Sequence, residues 1–260
     1  MPTVESDGVR LAVDVIGDGP PVILIGHGLT GSRRDFALLA PFIPGTKVLF
    51  DFRGHGDSER PPAGSYSMNH FAADVDNVAG AFGATALVGV SLGGGATLRL
   101  LRSKPDRFER LVFILPARLE RADSARAKLL RLADLLESRP VEEVADLVVE
   151  EEEQEGQFDR YPGARDLRRN AILAMNGDGI PRAIREAVDD PPVTDPEPIR
   201  QVAAPALVIG QEDDPVHRAE VARELAANLP NAELIVFENR YAMLAQVAEL
   251  TQRVAAFLAS

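Results

Sequence analysis

TALVGVSLGGGATLRLLRS, Thr85 to Ser103, passes from a β-branched apolar run through a glycine-flanked serine into a stretch with helical spacing. Within it Gly89, Ser91 and Gly93 fit the pattern GxSxG. A strand that turns at once into a helix brings the two backbones too close for side chains at the flanking positions, so glycine stands on either side and the serine is pushed outward. A serine in that place is a candidate nucleophile. It also suits the simpler role of a helix cap. A phosphate-cradling loop is disfavoured, because no lysine follows the glycines and no GxGxxG follows the first strand.

Outward from this turn, six more strand-like runs recur: VRLAVDVIG, PVILIG, KVLFDF, LVFIL, PALVIG and ELIVF. The first alternates, with Val9, Leu11, Val13 and Val15 on one face. The others are continuously apolar, as strands covered on both faces must be, and helix-like stretches separate them. The pattern predicts an α/β fold: a mainly parallel sheet flanked by helices. From Glu120 to Pro191 the rhythm breaks into helical spacing such as Leu129, Leu132 and Leu136 with no strand, which predicts an inserted helical cap (120–191) between two parts of the core (1–119 and 192–260). The acidic run VEEEEQEG inside it reads as a solvated helix end or loop. PPVTDPEPIRQVAAP reads as an extended return to the sheet.

At 260 residues and 45% hydrophobic content the chain can bury one sizeable core. A net charge of -12 repels nucleic-acid phosphates and anionic headgroups, so neither nucleic acid nor membrane is an expected partner. The absence of cysteine excludes disulfides, thiolate metal sites and a cysteine nucleophile. The N-terminus lacks the apolar core of a signal peptide and no run is long enough to span a bilayer, which points to a cytoplasmic protein. No metal or cofactor is expected; a small-molecule substrate or ligand is.

With GHGLTGS after the second strand, DFRGHGDSE after the third and QEDDPVH after PALVIG, the chain resembles the α/β-hydrolase superfamily over nearly its whole length outside the cap. The resemblance implies a serine hydrolase of a small ester, lactone or thioester. It implies that Ser91 is the nucleophile, that the backbone amides of Leu29 and Leu92 form an oxyanion hole, and that Asp214, or its neighbour Asp213, is the acid. It places His27 beside the substrate or in a structural role, and Arg53, His55 and Asp57 in a supporting turn. Peroxide-dependent and carbon–carbon bond chemistry occur in relatives of the fold as well.

The superfamily's histidine should follow the last strand, where FENRYAMLAQ offers Arg240 and where no histidine occurs after His217. A guanidinium presents only donors and stays charged at neutral pH, so it cannot take a serine proton. Arg240 suits an ion pair with Asp214 or the binding of a substrate anion. Two readings follow. In one, His217, three residues beyond Asp214, replaces the missing base in a rearranged triad. In the other the triad is incomplete, and the protein binds a small ligand or uses the oxyanion hole for lyase or isomerase chemistry. His70 fits a helix-surface or packing role.

Overall fold

The computed structural model describes residues 2–37, 39–116, 123–159, 163–175, 177–214 and 216–260, with side chains excepted at 123–125, 240, 241 and 244. The start expected for the cap, at Glu120, lies outside the described residues.

The strands are β1 (Thr3–Ser6), β2 (Val9–Ile16), β3 (Val22–Gly26), β4 (Thr46–Phe50), β5 (Ala86–Val90), β6 (Arg110–Ile114), β7 (Ala206–Gln211) and β8 (Ala232–Phe237). They form one sheet in the order β1-β2-β4-β3-β5-β6-β7-β8. From β4 onward every pairing is parallel, while β1 and β2 are antiparallel additions at one edge. The α/β expectation therefore holds. β1 was not expected from its polar composition, yet its cue is present: Asp7 and Gly8 both have positive φ (49° and 77°), and Ser6 pairs with Val9 across this two-residue turn. In β2, Val9, Leu11 and Val13 are buried, but Val15, one residue from the strand's end, is exposed.

The continuous apolar runs feed two cores. Leu24, Val48, Phe50, Leu87, Leu111, Phe113 and Val208 belong to one, together with residues of α1 (Met68–Phe82), α2 (Leu92–Leu101) and α7 (Ala219–Asn228). Ile23, Ile25, Leu49, Val88, Val112, Leu207 and Ile209 pack instead with Val254 and Leu258 of α9 (Val247–Ala259). Alternate residues of each strand thus face opposite helix layers, and each fully buried aliphatic side chain contributes about 1.5–3 kcal/mol.

Between β6 and β7 the described chain is helical: α3 (Asp123–Ser138), α4 (Val141–Gln154), α5 (Gly163–Leu173) and α6 (Gly179–Ala187). The acidic run ends α4 at the surface, where Glu151, Glu152 and Glu153 pair with Arg131, Arg168 and Arg165. α6 is fastened to the core. Glu186 accepts from the amides of Gly64 (2.7 Å) and Tyr66 (2.8 Å), and Asp190, just beyond it, accepts from Met68 N at the head of α1 (2.6 Å). The proline-rich return is not wholly extended: Glu197–Gln201 forms a 3-10 turn, favoured because Pro196 and Pro198 arrive with φ already near the helical value. Among the described residues no helix is long and apolar enough to cross a membrane.

Candidate active site

Ser91 stands between β5 and α2 with φ 47° and ψ -104°, a conformation that costs a non-glycine residue about 1–3 kcal/mol and survives only where the surroundings enforce it. The glycines supply that enforcement. A Cβ on Gly89 would lie 2.6 Å from Gly94 N, and one on Gly93 would overlap the Gly26 carbonyl, with its carbon at 2.6 Å. Gly93 N donates to His27 O (3.0 Å) and Ser91 N to Ile114 O (3.1 Å), so the elbow is tied to β3 and β6 at once.

Opposite it, at the end of β7, Asp214 opens a tight turn. Its Oδ1 accepts the amides of Val216 (2.8 Å) and His217 (2.9 Å), and its Oδ2 faces His217 Nδ1 (3.1 Å) and accepts from Gln211 Nε2 (2.7 Å). The other ring nitrogen of His217, Nε2, lies 2.8 Å from Ser91 Oγ. An imidazole with its proton on Nδ1 therefore donates to Asp214 and accepts from the serine hydroxyl. Burial pushes the Asp214 carboxyl up, but its bonds to and attraction for His217, with the amides of His217 and Val216, outweigh that and hold it well below the usual carboxylate range. The carboxylate is ionised at neutral pH. Asp213, the alternative acid, is exposed at φ 58°.

Of the expected residues, Ser91, His217 and Asp214 are thus brought together, and the contact that the incomplete-triad reading required to be missing is present. Leu29 and Leu92 flank the serine: a Cβ on Gly28 would sit 3.7 Å from Ser91 Cβ, and Leu92 is the first residue of α2. Among the described residues no backbone acceptor pairs with either amide. Arg240 heads α8 (Arg240–Ala245), and its side chain, expected to bind substrate or pair with Asp214, lies outside the described residues.

His27, expected either beside the substrate or in a structural role, is fully buried, with Nδ1 2.7 Å from Gly28 O and Nε2 accepting from Phe52 N at 3.1 Å. Neither nitrogen is left for a ligand, because the end of β3 tucks the ring between Phe52 and His55. His55 is equally buried, its nitrogens facing Arg53 O (2.9 Å) and Leu29 O (2.8 Å). Arg53 pairs with the buried Asp74, and Asp57 with Arg33 and Arg34, so RGHGDS is a supporting turn. His70 caps α1 through Ser67, with Nδ1 2.8 Å from its Oγ.

Burial first, and for His27 also the nearby His55, hold both imidazoles below the ordinary 6.5, against the pull of their carbonyl partners. Below about pH 6.5 the unfolded chain then binds protons that the folded chain refuses, so stability falls as pH falls, by up to about 1.4 kcal/mol per pH unit for each ring. Asp35 and Asp74, raised by burial, act in the opposite sense nearer the carboxylate range. Denaturant midpoints are expected to drop between pH 6.5 and 5.5; a flat profile there would count against neutral buried rings.

The family model for the alpha/beta hydrolase fold matches residues 21–244. The chain is 34% identical over 115 residues to the sn-1-specific diacylglycerol lipase ABHD11 of Danio rerio, a stretch covering 41% of this chain and 35% of that protein. The chain thus spans about a third of that lipase's length. It is 29% identical over 259 residues to the 2-hydroxymuconate semialdehyde hydrolase of Pseudomonas putida, covering 88% of this chain and 83% of that one. Among solved structures, an esterase from Exiguobacterium antarcticum superposes with a TM-score of 0.81 at 18% identity, covering 99% of each chain, which speaks to the fold alone. Matched over most of its length, the chain belongs to the alpha/beta hydrolase fold family.

Proposed function

We propose that the protein is a serine hydrolase acting on a small carboxylic ester, lactone or thioester through a rearranged Ser91–His217–Asp214 relay. Named hydrolases among its relatives support the broad class. The observation that carries the finer reading is the 2.8 Å contact between His217 Nε2 and Ser91 Oγ.

In this reading Ser91 Oγ attacks the substrate carbonyl carbon as its proton passes to His217 Nε2. Asp214, ionised and held by four donors, keeps the imidazole in the Nδ1–H tautomer and stabilises the imidazolium once it forms. The amides of Leu29 and Leu92 receive the developing oxyanion, an interaction worth about 3–4 kcal/mol per donor where it has been removed in comparable sites. His217 then returns the proton to the departing alkoxide or thiolate, and water, deprotonated by the same nitrogen, releases the acid from Ser91. The histidine has moved from the loop after β8 to the acid's own turn, and the proton route is unchanged. Arg240 is proposed as a contact for a substrate carboxylate, and α3 to α6 as the cap that bounds the pocket.

A serine-directed phosphonate tests this. A covalent adduct is expected on Ser91 of the native chain and none on Ser91→Ala. No adduct at a dose that labels an ordinary esterase would refute the proposal.

A further inference from the structure

Gln211 is the last residue of β7 and is buried, at 3% exposure. Ala206 to Gly210 ahead of it are apolar and buried, so a polar residue here departs from the strand's own pattern. Its Nε2 donates to Asp214 Oδ2 at 2.7 Å, the same oxygen that His217 Nδ1 meets at 3.1 Å. Its Oε1 is buried and, among the described residues, has no hydrogen-bond partner. A buried carbonyl without a donor leaves its desolvation uncompensated, and such a group in a folded protein calls for an explanation other than stability.

The geometry of the turn supplies one. Both bonds to Asp214 Oδ1 come from amides of the turn itself, Val216 and His217, so they shape the turn without fixing it to the sheet. Among the described residues Gln211 is the side chain that joins the carboxylate to β7. Its backbone is itself held in register with Phe237 of β8, and the next amide, Glu212 N, donates to Phe237 O at 2.9 Å. Ser91 is anchored to the same sheet through β5. A base carried on the acid's own short turn must be aimed across the end of the sheet, and a small rotation of Asp214 would swing the imidazole away from Oγ.

We infer that Gln211 is a positioning residue for this relay, tying the Asp214 carboxylate to the sheet so that His217 points at Ser91. The inference rests on the serine-hydrolase reading. It explains why an amide with one unsatisfied end is kept where an apolar residue would fit.

Gln211→Met keeps the volume and removes both polar ends. It is expected to lower kcat for p-nitrophenyl acetate about 10- to 100-fold, as loss of an orienting partner or a misplacement of about 1 Å does, with KM within about twofold. The rate of phosphonate labelling at Ser91 should fall in proportion, while Tm stays level or rises because the unpaired oxygen is gone. Gln211→Asn, an amide too short to span the same contact, should also lose kcat, and provides the measurement if the methionine variant does not fold. Native kcat and labelling rates in both variants would overturn the inference, as would a fall in Tm with kcat unchanged. If the native protein takes no label, the hydrolase reading fails and the inference with it. If the native chain labels, His217→Ala does not, and Gln211→Met labels at the native rate, the inference alone fails.

Discussion

His217→Ala is expected to lower kcat for p-nitrophenyl acetate by about 10⁶-fold with little change in KM, the loss seen when the base is removed from a working serine relay. The reason is local. His217 is the ring nitrogen within reach of Ser91 Oγ, at 2.8 Å, and the two other histidines close to the elbow, His27 and His55, have both nitrogens committed to backbone groups. Neither can substitute. Asp214→Asn should cost about 10⁴-fold, because an amide that donates toward Nδ1 favours the wrong tautomer. The binding site and oxyanion donors would still leave about 10³- to 10⁴-fold over water, so slow turnover of an activated ester in these variants is expected and is no sign of a second base. Steady-state rates for native, His217→Ala and Asp214→Asn proteins check this. A His217→Ala variant within tenfold of native would assign the proton to another group, and activity appearing only in Arg240→His would favour the incomplete-triad reading.

Gly93→Ala is expected to be among the damaging single methyls in the protein's frame, and it falls at the elbow itself. Its Cβ would overlap the Gly26 carbonyl oxygen and stand 2.6 Å from the carbonyl carbon, and backbone cannot step aside as a side chain can. Either β3 and α2 separate or the elbow rotates. Overpacking of this kind costs about 3 kcal/mol or more, and a shift of about 1 Å at Ser91 would remove a further 10²-fold of activity from whatever protein still folds. Gly80→Ala is the contrast. That site, in α1, has open space around the added carbon and an ordinary φ, so the change should stabilise the helix by about 1 kcal/mol or less. Denaturant unfolding of the two variants beside the native chain measures both effects, and equal midpoints would remove the packing argument for GxSxG here.

The sequence made the parallel strands legible because each is an apolar run bounded by glycine, proline or charge, and burial on both faces demands such a run. β1 escaped because its four residues are largely polar and its evidence lies in the Asp7–Gly8 turn, not in the strand. The 3-10 turn at Glu197–Gln201 was masked by prolines that signal an extended chain and an early helical φ equally well. At the site, spacing put His217 near Asp214, and only the family resemblance raised the expectation of a histidine near Arg240. Spacing could not show the direction of an imidazole on a three-residue turn, which depends on two backbone amides binding one carboxylate oxygen. His27 was left between two roles for a related reason: its motif is read along the chain, whereas its burial is set by Phe52 and His55 from another loop. Gln211 drew no notice because a single polar residue at a strand end is ordinary until its amide is found on the acid.

The central claim, that the imidazole on the acid's own turn activates the elbow serine, is tested most directly by the second-order rate of Ser91 phosphonylation at neutral pH in the native chain and in His217→Gln. Rapid labelling of the first and a rate lower by about 10³-fold or more in the second is the predicted result. Equal rates in the two proteins would contradict it.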